Sequence, residues 1–148
     1  MKVNTRVRYG LRAILNIAEA YGQDPVSINV ISRAEDISSK YLEQVISPLR
    51  RAELVVSQKG VKGGYSLARP PAEITLWDVI AALDNHPQLV DCVGHPEICE
   101  RAPDCVTHRV WTLLDDRMKQ FWRSFTLADL LAEYQHSGAG PVESLFRD

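Results

Sequence analysis

Apolar residues recur at three- and four-residue spacing along most of this chain, and breaks in that rhythm divide it into short elements. From Arg6 to Tyr21, Val7, Leu11, Ile14, Leu15 and Ala18 share one face, while Arg8, Arg12, Asn16 and Glu19 fall off it. That pattern predicts an amphipathic helix, ended by Gly22 and the turn at Asp24-Pro25. Ser27 is placed to cap a second, short helix through Ile28, Ile31 and Ala34. Ser38 or Ser39 caps a third, from Lys40 to Ala52, with Leu42, Val45, Ile46 and Leu49 on its apolar side. Pro48 lacks the N–H that a helix interior uses, so a kink or an early end is expected there. Leu54-Val55-Val56-Ser57 and Tyr65-Ser66-Leu67 are β-prone and flank Lys59-Gly60-Val61-Lys62-Gly63-Gly64, a hairpin with a basic, glycine-rich tip.

After the boundary at Pro70-Pro71, Thr75 caps a helix from Leu76 to Leu83. Residues 84–105 have no periodicity and are rich in Pro, Gly, Asp and Cys, a length of loop that compact domains tolerate mainly where it is functional or ligated. A long helix from Thr107 to Ser124 carries Val110, Trp111, Leu114, Met118, Phe121, Trp122 and Phe125 as one stripe, and Thr126 caps a last helix to Tyr134. The expected architecture is mainly α with a small β-hairpin wing. A winged helix-turn-helix occupies 1–83, a cysteine-rich loop 84–106, a long dimerisation helix with a final short helix 107–134, and a flexible tail 135–148.

The 148 residues are 45% apolar and 24% charged, enough apolar surface for a globular core. No run approaches the roughly 18 apolar residues of a membrane span. Met1 to Arg6 carries charge with no long apolar stretch after it, which does not read as a signal peptide. The expected location is cytoplasmic, without a membrane partner. The net charge of −2 conceals a split: residues 1–70 hold eleven Lys/Arg against six Asp/Glu, a balance of +5, and residues 71–148 hold six against thirteen, a balance of −7. One basic half points to a polyanion at that end.

Helix, turn, helix and basic hairpin in that order describe a winged helix-turn-helix, whose second helix enters the major groove of duplex DNA. The residues at its start are Ser38, Ser39, Lys40, Tyr41, Glu43 and Gln44. Gln pairs with adenine, Glu accepts from cytosine, and a helix N-terminus favours phosphate. Lys59 and Lys62 at the hairpin tip are suited to phosphates or a narrow minor groove. The aromatic stripe on the long helix is too apolar to leave wet, which predicts an antiparallel homodimer presenting two reading helices to a pseudopalindrome.

The three cysteines and a histidine follow the spacing C-x6-C-x5-C-x2-H: Cys92, Cys99, Cys105 and His108. An odd number of cysteines argues against a disulfide framework, while thiolates with one imidazole suit a soft or borderline metal. Zinc sites usually contain a tight cysteine pair, which is missing here, and the wider gaps suit a bulkier 2Fe–2S centre, where histidine can replace cysteine. Zinc, a disulfide switch and three free thiols remain open on spacing alone. His86, His95 and His136 lack matching spacing. There is no C-x-x-C, nucleotide fingerprint or nucleophile–base pair, so neither an enzyme nor a small-molecule substrate is expected.

Several stretches carry a resemblance: Arg8-Tyr9-Gly10-Leu11-Arg12-Ala13, Ile37-Ser38 with Tyr41-Leu42-Glu43-Gln44, Leu49-Arg50, Gly63-Gly64-Tyr65-Ser66-Leu67, Cys105-Val106-Thr107-His108-Arg109-Val110-Trp111 and Thr126-Leu127-Ala128-Asp129-Leu130. Through them the chain resembles the Rrf-two (BadM-type) transcription regulators over residues 1 to 134, most of all their iron–sulfur-assembly branch. The resemblance implies a winged-helix dimer whose long helix crosses to its partner, and a 2Fe–2S cluster on Cys92, Cys99, Cys105 and His108. It also implies control of iron–sulfur or stress genes, with Glu43 discriminating bases and Lys59 a basic wing position. The first cysteine gap is one residue longer than in that branch, Glu53 stands where a turn glycine is common, and Ser39-Lys40 differs from the branch's helix start. A nitric-oxide-sensing relative holds 4Fe–4S with three cysteines and a first-helix aspartate. Arg8 takes that place here and cannot ligate iron, which favours 2Fe–2S.

Overall fold

The computed structural model describes residues 3–84 and 87–137. Its order is α1 (Thr5–Glu19), α2 (Ile28–Glu35), α3 (Ser39–Arg51), β1 (Val55–Gln58), β2 (Gly64–Leu67), α4 (Leu76–Leu83), α5 (Asp91–Gly94), α6 (Val106–Arg123) and α7 (Leu127–Ser137), with 3₁₀ turns at Pro71–Glu73, Pro96–Ile98 and Ala102–Asp104. The Gly138-Ala139-Gly140-Pro141 part of the expected tail lies outside the described residues.

Each early helix starts where a side chain replaces a missing backbone acceptor. Asn4 Oδ1 accepts the Val7 N–H at 2.9 Å, Ser27 Oγ that of Val30 at 3.4 Å, and Ser38 Oγ that of Tyr41 at 3.3 Å. At α4, Thr75 and Asp78 bond reciprocally, side chain to backbone, at 2.9 and 3.2 Å. One core holds Ile14 and Ile17 of α1, Ile31 of α2, Leu42, Val45, Ile46 and Leu49 of α3, Val79 and Leu83 of α4, and Leu127 of α7. α3 does not end at Pro48 but runs on to Arg51. Pro48 is itself buried there, and apolar packing on both sides of it outweighs one lost backbone bond.

β1 and β2 pair antiparallel with Val55 opposite Leu67 and Gln58 opposite Gly64, leaving Lys59 to Gly63 as the tip. Gly60 takes a φ of +114°, open to glycine and strained for other residues. A β-carbon on Gly64 would lie 2.4 Å from the carbonyl oxygen of Val26, where Val26 and Tyr65 exchange backbone bonds at 2.9 Å. The wing is thereby laced to the strand-like segment before α2.

α6 leaves this body and α7 returns to it. The return is clamped by the N–H of Leu76 on the Phe125 carbonyl and the N–H of Leu127 on the Ile74 carbonyl, both 2.9 Å. No helix among the described residues is long and apolar enough to cross a membrane.

Candidate DNA interface and cysteine segment

The reading edge is built by two helix ends. Asp36 closes α2 in the left-handed conformation (φ 53°), and Ile37 is buried, so the chain reverses within three residues and delivers Ser38 as the cap of α3. Ser38, Lys40, Glu43 and Gln44 are exposed on the first turns of α3. Ser39 and Tyr41 face partly inward. The Ser39 hydroxyl donates to Asn29 Oδ1 at 3.3 Å, and the Tyr41 ring stands edge-on to Tyr9 of α1, centroids 5.8 Å apart at 87°. Tyr41 thus braces α3 against α1, a long-range packing role that spacing along α3 does not reveal. Arg12 and Asn16 of α1 both bond the Glu35 carboxylate, which fixes the end of α2. Lys59 and Lys62 are exposed at the wing tip.

The cysteine segment is not the featureless loop its composition predicts. Pro96 and Pro103 sit in the first positions of two 3₁₀ turns, where proline's missing N–H costs nothing. Cys92 lies in α5, Cys99 follows the Pro96–Ile98 turn, and Cys105 caps α6. All three thiols are free and partly buried. Cys105 Sγ accepts the His108 N–H at 3.4 Å and lies 3.1 Å from Thr107 Oγ1. The Thr107 hydroxyl, then the His108 N–H, and more weakly the Arg101 charge hold the Cys105 thiol below the usual thiol range, favouring the thiolate that binds metals.

His108 Nε2 lies 2.9 Å from the Cys92 carbonyl oxygen. A carbonyl only accepts, so a neutral His108 carries its proton on Nε2 and its lone pair on Nδ1, the way a hydrogen bond on the far nitrogen ordinarily orients a ligating histidine. The fold therefore brings Cys105 and His108 into one helical turn and ties His108 to the backbone of Cys92. Cys99 is joined to Cys105 only by consecutive backbone bonds through Ala102. Among the described residues, no three Cys, His, Asp or Glu side chains converge on one point. The donor set has the chemistry of an iron–sulfur ligand set, in an arrangement that must close further to act as one. His95 contacts Glu97 at 3.0 Å, while His86 and the side chain of His136 lie outside the described residues.

Asp115 is the feature that spacing along α6 leaves unmarked. It is buried and accepts the Leu89 N–H at 3.1 Å, tethering the approach to Cys92. The signal was available: an acid four residues after Trp111 and seven before Trp122 lies on the aromatic stripe, not off it.

The family profile described as Rrf2, an iron-dependent transcriptional regulator, matches residues 3–133. This chain belongs to the Rrf2 family. It is 39% identical over 133 residues to protein rrf2 of Nitratidesulfovibrio vulgaris, covering 90% of this chain and 89% of that one. It is 38% identical over 132 residues to IscR of Sodalis glossinidius, covering 89% and 79%. Among solved structures, T. potens IscR superposes with a TM-score of 0.74 at 32% identity, covering 99% of this chain and 97% of that one. CymR, the global cysteine regulator of B. subtilis, superposes with a TM-score of 0.71 at 35% identity, covering 89% and 97%. The Rrf2 family membership makes this chain an IscR-like, DNA-binding transcription regulator and not an enzyme.

Proposed function

We propose that this regulator acts as a homodimer on a pseudopalindromic operator and senses iron–sulfur or redox status through a 2Fe–2S cluster held by Cys92, Cys99, Cys105 and His108. In this reading residues 1–83 read DNA, 84–106 enclose the cluster and 107–134 join the protomers. The observation that carries it is the donor set: three free thiols and an imidazole on one segment, with His108 oriented by the Cys92 carbonyl and Cys105 biased towards thiolate. When bound, the cluster supplies a centre whose oxidation state and occupancy respond to the cell.

The chain's own residues supply the rest. Gathering four donors requires deprotonated thiols and orders the segment between α4 and α6. That ordering biases the spacing of the two reading heads, and a coupling of about 1–3 kcal/mol changes operator affinity about 5–150-fold. Ser38, Ser39, Lys40, Tyr41, Glu43 and Gln44 meet base edges and phosphates, Ser39 and Tyr41 also bracing α3 through Asn29 and Tyr9, and Lys59 and Lys62 take the flanking phosphates. Dimerisation through α6 is supported by its uncovered apolar face, where Val110 is 54% exposed and Leu113 60%.

Anaerobic purification with visible spectroscopy and iron and sulfide analysis tests this reading. Equimolar iron and sulfide with visible absorbance that is lost in Cys92→Ala is the expected result. A colourless protein holding zinc establishes the zinc-stabilised alternative, and four irons per protomer in place of two establish the 4Fe–4S one. Equal affinity of loaded and cluster-free protein for every operator refutes sensing.

A further inference from the structure

α6 has one fully buried residue, and it is a carboxylate: Asp115, 1% exposed. Burying a charge is costly unless partners meet it. Its Oδ1 accepts the Leu89 N–H at 3.1 Å, three residues before Cys92. Its Oδ2 lies 2.6 Å from Lys119 Nζ, a close ion pair whose angles are not those of a hydrogen bond. The same ammonium stands 5.6 Å from the centre of the Trp77 ring on α4, and the Arg123 guanidinium stands 5.5 Å from that ring. α4 packs directly on α1 and on the reading helix α3. Apolar packing beside this joint is incomplete. A cleft of about 170 Å³ opens between Val7, Leu11, Ile80, Met118 and Trp122 beside the polar contacts.

We propose that Asp115 is the positioning residue that transmits the state of the cysteine segment to the DNA-reading unit. One carboxylate oxygen holds the entry to the segment, and the other holds Lys119 against the Trp77 face of α4. A buried carboxylate tolerates the loss of neither partner. When closure around a cluster displaces Leu89, Asp115 rearranges and Lys119 shifts over Trp77, which moves α4 relative to α3. This inference rests on the sensing reading for its signal, while the joint itself is present in cluster-free protein and is tested there.

The experiment is amide hydrogen exchange on the cluster-free full chain, as wild type, Asp115→Ala and Asp115→Asn. Asp115→Ala removes both interactions, and exchange is expected to quicken about tenfold at Leu89 to Val93 and also across α4. Asp115→Asn keeps an acceptor for Leu89 and removes the charge that holds Lys119. Its segment is expected to exchange within about twofold of wild type while α4 quickens. Acceleration confined to the segment in both variants, or no change at α4, overturns the proposal. Should Asp115→Ala fail to fold, Asp115→Asn decides alone. Anaerobic incubation of the same wild-type protein with iron and sulfide, followed by analysis for both, separates the two ideas: failure to take up either refutes the sensing reading, and the exchange pattern still decides the joint.

Discussion

From Val7 to Leu83 nearly every helical turn sends a side chain into one apolar core, whereas from Pro87 to Thr126 only Ala102 and Asp115 are fully buried among the described residues. The first stretch is held by burial. The second is held by short backbone closures, such as His95 N–H to the Asp91 carbonyl at 2.9 Å and Ala102 N–H to the Cys99 carbonyl at 3.0 Å, and by the bonds of His108 and Asp115. The difference separates two tasks. A reading head must keep α3 and the wing in fixed relation, which a packed core does. In the proposed sensing role the second stretch differs between two states, which sparse packing held by a few directional bonds permits.

Core deletion gives the largest expected effect on that contrast. Leu42→Ala empties a fully buried site beneath the reading helix and is expected to cost about 2–5 kcal/mol of unfolding free energy. Ile98→Ala, at a position 62% exposed, is expected to cost less than about 0.5 kcal/mol. Urea unfolding of both variants measures the gap, and comparable losses break the comparison. The next effect concerns what covers the second region. Trp111→Asp and Leu114→Asp place a charge on the exposed apolar face of α6 and are expected to raise the dissociation constant of the proposed dimer more than about thirtyfold. Sedimentation equilibrium reads this directly, and a wild type that is monomeric at high concentration removes the premise.

A smaller effect belongs to the wing. The double variant Lys59→Ala, Lys62→Ala is expected to weaken binding almost equally on all sequences and to flatten the dependence of affinity on salt by about 0.9 for each phosphate no longer neutralised. Gln44→Ala, by giving up the hydrogen bond to a base edge proposed for it, is expected to relax preference at one base pair at a cost of about 1–3 kcal/mol. Titration at several salt concentrations separates the two behaviours. A Lys pair whose removal leaves the salt dependence unchanged does not touch phosphate.

The contrast also explains which features were legible in the sequence. α2 and α4 stand where Ser27 and Thr75 place their starts, because a capping side chain and apolar periodicity are local signals. The hairpin and the long α6 were legible for the same reason. Three features were not. The 3₁₀ turns at Pro96–Ile98 and Ala102–Asp104 have no apolar period to betray them. Tyr41 reads as a groove-facing residue, and nothing along α3 tells that its ring also packs edge-on to Tyr9, 32 positions away. The place of Asp115 on the aromatic stripe hints at burial, but its bond to the Leu89 N–H, 26 positions away, emerges only when the 87–90 stretch meets α6. In each case the missing information was the meeting of elements distant in sequence.

The smallest effect lies at the seam where reading helix meets wing. Glu53 takes a φ of 57° just after α3, with its N–H on the Arg50 carbonyl and the Leu54 N–H on the Leu49 carbonyl, both at 3.0 Å. This is a helix-ending pattern in which glycine is favoured, because a β-carbon crowds the following carbonyl in the left-handed conformation. The strain relieved by Glu53→Gly exceeds the extra freedom glycine gives the unfolded chain, so the variant is expected to be more stable by about 0.5–1 kcal/mol. In a chain of this length that corresponds to a rise of roughly 1–4 °C in melting temperature. Glu53 is exposed and away from the start of α3, so operator affinity at fixed salt is expected to stay within about twofold of wild type. A fall in melting temperature would mean that the Glu53 side chain contributes more than its backbone costs. A large change in affinity would mean that the seam, and not the core alone, sets the relation of wing to reading helix.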